Sequence, residues 1–342
     1  MSGPGRIHPH DYTYDPSCFD RPPDLATEVL YVVGGLYGNL AALDGLEALV
    51  AAEGVPAAVV FNGDFHWFDA QPAWFMDVED RLASFRCIRG NVETELARVA
   101  DVAAGCGCAY PASVDDDTVR RSNRILEALR AMAAGLEGVR ERLWALPAHL
   151  VADVAGVRVG IVHGDATSLA GWGFDGPALD DPTRQAWLAE IGRASRIDVF
   201  ASAHTCAAAL RTALLPSGPL TVINNGAAGM PNFTAAPFGV VTRIAVGASP
   251  HQPLYGVLHG RVRVDALAVP YDTQAFLQRF LQRWPPGSAA HRSYFHRIVA
   301  GPDASMAQAR SRTLAWSESA ERLPPVMDEN FFSKRSTSRP DN

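Results

Sequence analysis

The sequence predicts an α/β fold, with a largely parallel sheet and helices outside it. Val29 to Val33 is a short β-branched run that ends at Gly34-Gly35, as a buried strand does. A helical pattern follows at once, with Asn39 as its cap and Leu40, Leu43, Leu46, Leu49 and Val50 along one face. Gly54 and Pro56 close the helix, and Ala57 to Phe61 starts a second strand, which completes a βαβ unit. The pattern then repeats. Arg81 to Ile88 ends as a strand before Gly90, and Val157 to Val162, Asp198 to Phe200 and Leu220 to Ile223 read as three more. Residues 115 to 145 are helical, with Ile125, Leu126, Leu129, Met132, Leu136, Val139 and Leu143 spaced for one face. Gly239 to Val246 and Leu258 to Val269 alternate as terminal strands, and a helix from Asp272 carries Phe276, Phe280 and Trp284. There is no internal repeat. This organisation gives an N-terminal arm at 1–27, one domain at 28–301 with a helical insertion at about 100–145, and a tail at 302–342 that is partly disordered past about residue 320.

Composition removes several function classes. Of 342 residues, 48% are hydrophobic and 20% charged, too apolar for a disordered chain. The net charge of -7 and the lack of a basic stripe argue against a nucleic-acid partner. No apolar run reaches the roughly 18 to 20 residues of a membrane span, so no membrane partner is expected. The stretch from Met1 to Pro16 lacks the pattern of a secretory leader. Five scattered cysteines fit a reduced, cytoplasmic chain better than a disulfide framework.

The informative residues stand where strands end. Gly34-Gly35-Leu36-Tyr37-Gly38-Asn39 follows the first strand and Asn62-Gly63-Asp64-Phe65-His66 the second. Arg89-Gly90-Asn91-Val92-Glu93, His163-Gly164-Asp165 and Ala203-His204-Thr205-Cys206 follow the next three. In an open α/β sheet these carboxyl ends share one edge, where ligands bind. That edge gathers Asp64, Asn91, His163 and His204, a set of oxygen and imidazole donors suited to a divalent metal. A lone histidine after a strand is commonly a hydrogen-bonded turn residue. Four such residues in order, each beside glycine or another small residue, make a site the better reading.

These motifs resemble the calcineurin-like metallophosphoesterases, whose order is D-x-H, G-D, G-N-H-D/E, a lone H and then G-H-x-H. Gly63-Asp64 matches the second element, Gly90-Asn91-Val92-Glu93 the third, His163 the lone histidine, and His204 the first histidine of the last. Leu146-Pro147, Val157 to Gly164, Ile223 to Pro231 and Val269 to Asp272 are similar to stretches of the small bacterial phosphodiesterase-like branch. The resemblance spans residues 28 to 300. It implies two packed mixed β-sheets flanked by helices, with the site at one edge. It also implies a metal site made of Asp64, Asn91, His163 and His204.

The departures concentrate on the other metal site of the family. Its D-x-H is Gly35-Leu36-Tyr37 here, and the second histidine of G-H-x-H is Cys206. Tyr37 is either a filler of the vacated space or a phenolate ligand. Cys206 is either a small buried residue or a thiolate ligand, and His66 is either a packed turn residue or an additional imidazole. The family's proton-donating histidine is Val92, which has no proton to give; Asp165 is an alternative acid. Arg89 is the expected cation for a phosphate oxygen, with a surface salt bridge as the alternative.

The expected cofactor is one or two divalent or trivalent ions of manganese, zinc or iron. The leading function is hydrolysis of a small phosphate ester at an atypical, mononuclear centre, with Asn91 and His204 orienting substrate and ion. The alternatives are a non-catalytic protein that binds metal or a phosphate-bearing ligand, and non-phosphate chemistry at a single metal. Cys106-Gly107-Cys108 reads as loop, the inserted helices are expected to cap the site, and the Phe276 to Trp284 face suggests a homo-oligomer.

Overall fold

The βαβ unit read from the sequence forms as expected and seeds the first sheet. In the computed structural model, which describes residues 3–100 and 102–316, the chain lays down β1 (Leu25–Thr27), β2 (Val29–Val33), α1 (Leu40–Ala51) and β3 (Ala58–Phe61). Asn39 caps α1, its side-chain oxygen accepting the Ala42 N–H at 3.2 Å. α2 (Pro72–Leu82), β4 (Arg86–Cys87) and α3 (Asn91–Ala97) follow. The strand expected from Arg81 is therefore only two residues long, because Arg81 belongs to the last turn of α2. The helical stretch at 115–145 divides into α4 (Asp116–Ala133) and α5 (Val139–Ala145), broken by Gly138 at a φ of 72°.

The second half alternates hairpins with short helices. β5 (His149–Val154) and β6 (Val157–Val162) pair antiparallel, and α6 (Gly176–Asp180) and α7 (Gln185–Ser195) lead to β7 (Val199–Ser202). β8 (Ala209–Leu215) and β9 (Gly218–Asn224) form another hairpin, followed by β10 (Phe238–Ala245). The single strand expected at Leu258 to Val269 is a third hairpin, β11 (Tyr255–His259) and β12 (Val262–Pro270), which turns at Gly260 with φ 57°. Asp272 caps α8 (Thr273–Arg283), and α9 (Ala289–Ala300), α10 (Met306–Ala309) and β13 (Arg312–Leu314) close the described chain. The disorder expected past about residue 320 lies outside the described residues.

The strands make two mixed sheets, as the resemblance implies, rather than the one largely parallel sheet that the strand pattern alone suggests. One has the order β11-β12-β10-β2-β3-β4, the other β1-β5-β6-β7-β9-β8-β13. Strand periodicity decides what each face buries. Leu30, Val32 and Val60 of the first sheet meet Ala152, Val159, Ile161, Val199 and Ile223 of the second. The alternate residues Tyr31, Val33 and Phe61 turn the other way, onto α1 and the helices beside it. On the far side, Val151, Val162, Phe200 and Val222 pack against α7 and Phe19 of the N-terminal segment. The layers are therefore helices, sheet, sheet, helices. Phe276, Phe280 and Trp284, read as an exposed apolar face, are buried within the chain, where Phe280 meets the ring of Phe68 at 5.0 Å. Among the described residues, no helix is long and apolar enough to cross a membrane.

One glycine shows how tightly α1 sits on the sheet. A Cβ on Gly45 runs into the backbone carbonyl of Pro270 at the end of β12. Alanine inside a helix ordinarily gains about 1 kcal/mol over glycine. Gly45→Ala is expected to lose about 1 to 3 kcal/mol instead, from forced overpacking, read as a lower urea midpoint with an unchanged slope.

Candidate metal centre

The loops after β2, β3, β4, β6 and β7 meet at one edge, where the two sheets are stitched together. Asn62, just past β3, donates its side-chain N–H to the Val162 carbonyl at 2.9 Å. Asn225, just past β9, donates to the Val32 carbonyl at 3.0 Å. These bonds tie the end of each sheet to a strand of the other, so the loops carry their side chains on a rigid frame.

Four lone pairs converge there. His163 Nε2 lies 3.0 Å from Asn91 Oδ1, 3.1 Å from His204 Nδ1 and 3.4 Å from Asp64 Oδ1. Ligand atoms of Asp64, His163 and His204 lie within 4.8 Å of one another, and all three residues are buried. The opposite atom of each neutral ligand is fixed by donation to a main-chain carbonyl. His163 Nδ1 donates to Asn62 O at 2.8 Å, Asn91 Nδ2 to Cys106 O at 2.9 Å, and His204 Nε2 to Cys108 O at 3.0 Å. These bonds set both tautomers and aim the free lone pairs inward, as second-shell partners do at metal sites. Donors about 2.1 Å from a shared cation, at tetrahedral or octahedral angles, stand about 3.0 to 3.4 Å apart. The observed separations match, so these residues fit a metal ion.

Electrostatics agrees with that assignment. Burial pushes the Asp64 carboxyl up, but the His163 imidazole beside it brings it below its ordinary value. Burial and His163 push His204 down to about 3, which leaves its Nδ1 lone pair free. Burial also lowers His163, yet Asp64 more than offsets this and holds it raised. A proton on His163 is thus the natural competitor of the metal.

Glu93 sets the stage behind these residues. It is fully buried and accepts the N–H groups of Asp64 at 2.8 Å, Phe65 at 3.0 Å and Gly90 at 2.8 Å. Asp64 in turn accepts the Val92 N–H at 3.2 Å. Sequence reasoning placed Glu93 in the motif but gave it no role. Its position three residues after Gly90, at the first turn of α3, was the available signal.

The space beside this cluster, where the sequence resemblance implies a second metal, is filled. Tyr37 folds back so that a Cβ on Gly35 clashes with the edge of the tyrosine ring and its hydroxyl. Gly35, which the resemblance matches to an aspartate, takes no side chain while Tyr37 is present. The Tyr37 hydroxyl contacts Cys206 Sγ at 2.6 Å. Burial raises both the Tyr37 hydroxyl and the Cys206 thiol above their ordinary values. Tyr37, Asp64 and Cys206 share left-handed φ angles of 55°, 58° and 54°, a backbone cost that non-glycine residues meet at functional sites.

Three other candidates sit elsewhere. His66 points away, bonded to Asp69 at 3.3 Å and Glu79 at 2.9 Å and stacked on Phe75 at 3.7 Å. Arg89 lies over the Trp144 ring and donates to the Trp144 and Leu146 carbonyls at 2.9 and 3.2 Å. Asp165 accepts from Thr167, Ser168 and Gly173, which makes it a loop staple rather than a free acid. Val92 is buried and offers no side-chain donor.

A cavity of about 160 Å³ opens in front of the centre. Besides Tyr37, Asp64, Asn91, His204 and Cys206, its wall includes Trp67, Cys108, Tyr110, Trp172, Tyr294 and Arg297. Cys108 and Tyr110 come from the segment that leads into the inserted helices, while Tyr294 and Arg297 come from α9, which sequence reasoning did not identify. Cys106 and Cys108 lie side by side in that segment, with their Cα atoms 5.3 Å apart.

Two outcomes follow. Glu93→Gln puts an amide N–H among three N–H donors and is expected to weaken metal affinity about 10- to 100-fold, measured by calorimetric titration. His66 supplies a pH signature: burial alone pushes it down, but Asp69 and Glu79 hold it at about 9. The folded value exceeds the unfolded one of about 6.5, so this stability is present below about pH 6.5 and lost as pH rises through the folded value. Unfolding free energy is expected to fall by about 3 kcal/mol between about pH 6 and about pH 10, and this decline disappears in His66→Gln.

No protein-family model matches the sequence, and no curated protein matches it. Among solved structures, the chain is similar to a hypothetical protein from Pyrococcus horikoshii at 20% identity and a TM-score of 0.54, over 81% of this chain and 99% of that one. It is also similar to a metallophosphoesterase from Sphaerobacter thermophilus, at 15% identity and a TM-score of 0.48, over 80% and 100% of the two chains. Yfce, a phosphoesterase from E. coli, is matched at 14% identity and a TM-score of 0.33, over 71% and 100%. With two mixed sheets face to face and the motif loops gathered at one shared edge, the chain shares the fold of the Pyrococcus horikoshii protein.

Proposed function

We propose that the chain is a phosphoesterase that works with one metal ion and acts on a small phosphate ester. The observation that carries this reading is the convergence of Asp64, Asn91, His163 and His204, with the three neutral ligands each locked from behind by a carbonyl. Manganese, zinc and iron all suit this mixed oxygen and nitrogen set. The ion, when bound, supplies Lewis-acid polarisation of a phosphoryl oxygen and acidification of water.

The side chains supply the rest. Asp64 brings the negative charge that offsets the cation, and Glu93 fixes its main chain. Asn91 and His204 line the cavity and orient what enters it. Tyr37 fills the other metal position, which supports a mononuclear centre. Val92 stands where the resembled motif has its proton-donating histidine, and a missing general acid lowers rates by about 10² to 10⁴. Esters with good leaving groups are therefore the favoured substrates. Scarce cysteine supports a cytoplasmic setting.

Val92 and the occupied Asp165 favour a second reading, binding of a phosphate-bearing ligand without turnover. Elemental mass spectrometry on protein purified without a metal-affinity tag, followed by assay with an activated aryl phosphate, separates the two. The expected result is about one ion per chain, lost in His163→Ala, with hydrolysis abolished in Asp64→Ala. One ion without turnover supports the second reading. Two ions make Tyr37 and Cys206 ligands, and no ion after incubation with manganese, zinc or iron overturns the metal-dependent enzyme.

A further inference from the structure

We propose that Arg297 is the clamp for a doubly negative phosphoryl group, so that the site selects small phosphomonoesters over phosphodiesters. This inference rests on the metal-dependent reading above and deepens it.

Arg297 belongs to α9 and lines the cavity. Its Nε donates to the Pro231 carbonyl at 3.1 Å, and one terminal nitrogen donates to the Cys206 carbonyl at 2.9 Å. Cys206 lies two residues after His204, so the guanidinium is fixed on the loop that carries a metal ligand. Among the described residues, no carboxylate pairs with Arg297. An unpaired, half-buried guanidinium held rigidly in a cavity wall is a ready partner for an anion, and its planar fork suits phosphoryl oxygens. The sequence candidate for that task, Arg89, is spent on Trp144 and two carbonyls.

Charge then selects the ligand. Asp64 and Arg297 are the only formally charged side chains among the described residues that line this cavity, and they cancel. A divalent cation leaves the cavity with a net charge of about +2, which a phosphomonoester dianion neutralises and a diester monoanion only halves. Size acts in the same direction. The 160 Å³ enclosed here compares with the about 150 Å³ that holds a single benzene. That space takes a phosphoryl group with a few carbons and excludes a nucleotide from full enclosure. Trp67, Tyr110, Trp172 and Tyr294 give those carbons an aromatic wall.

The test uses non-hydrolysable probes on the metal-loaded full chain, titrated calorimetrically near pH 9. Ethylphosphonate, a dianion there, is expected to bind at least about 10-fold tighter than its monomethyl ester, a monoanion, with inorganic phosphate behaving as the dianion. Arg297→Met is expected to lose about 10- to 100-fold of ethylphosphonate affinity and most of the preference, with metal content unchanged. Arg297→Lys keeps the charge without the fork and is expected to fall between the two. Equal affinity of the wild type for both phosphonates overturns the proposal, whether or not the variants fold. So does full affinity in a folded Arg297→Met. A wild type that takes up no metal is a different result: it overturns the metal-dependent reading, and this proposal with it.

Discussion

Glu93 accepts the main-chain N–H groups of Asp64, Phe65 and Gly90, and so fixes the two loops that carry Asp64 and Asn91 into the site. Asp64 adopts a left-handed backbone, which an aspartate tolerates at some cost and which needs holding. A fully buried carboxylate taking three N–H bonds supplies the missing constraint. Burial, followed by the neighbouring Asp64 charge, raises Glu93 above its ordinary value. The bonds that hold the loop are therefore also what keep this carboxylate tolerable in the interior.

Much of this was legible in the sequence because strand ends and glycines are local signals. The β-branched runs, the Asn39 cap and the polar residue after each strand depend on neighbours within a few positions. The hairpins were less legible, since their turns at Ala155-Gly156 and Gly260 look like interruptions in one strand. α7 and α9 were missed, and with α9 went Arg297, which stands 93 residues beyond His204 and reaches the site only through tertiary packing. Arg89 shows the opposite error, and His66 illustrates the same point through its packed-turn reading. Both stand next to site residues in the chain, but His66 turns onto Phe75 and Arg89 onto Trp144. Sequence proximity to a motif does not fix the direction of a side chain.

The filled space beside the cluster has a simple steric logic. Gly35 and Tyr37 are one substitution in physical terms, because the ring occupies the space that a side chain at 35 needs. The contact with Cys206 extends the same change to a third residue. Gly35, Tyr37 and Cys206 are thus a packed unit, and a side chain added at position 35 alone clashes. The unit also leans on its neighbours: the Tyr37 N–H meets the Asp64 carbonyl at 3.4 Å and the Cys206 thiol the His204 carbonyl at 3.6 Å.

The carbonyls of Cys106 and Cys108 hold Asn91 and His204 from behind, and both belong to the segment that leads into the inserted helices. A lid is commonly regarded as the part of an enzyme that can vary freely, trading one substrate for another over a constant centre. In this chain the cover and the foundation are the same piece of backbone. Remodelling the opening also shifts Asn91 and His204, so the shape of the mouth and the donor set behind it are inherited together.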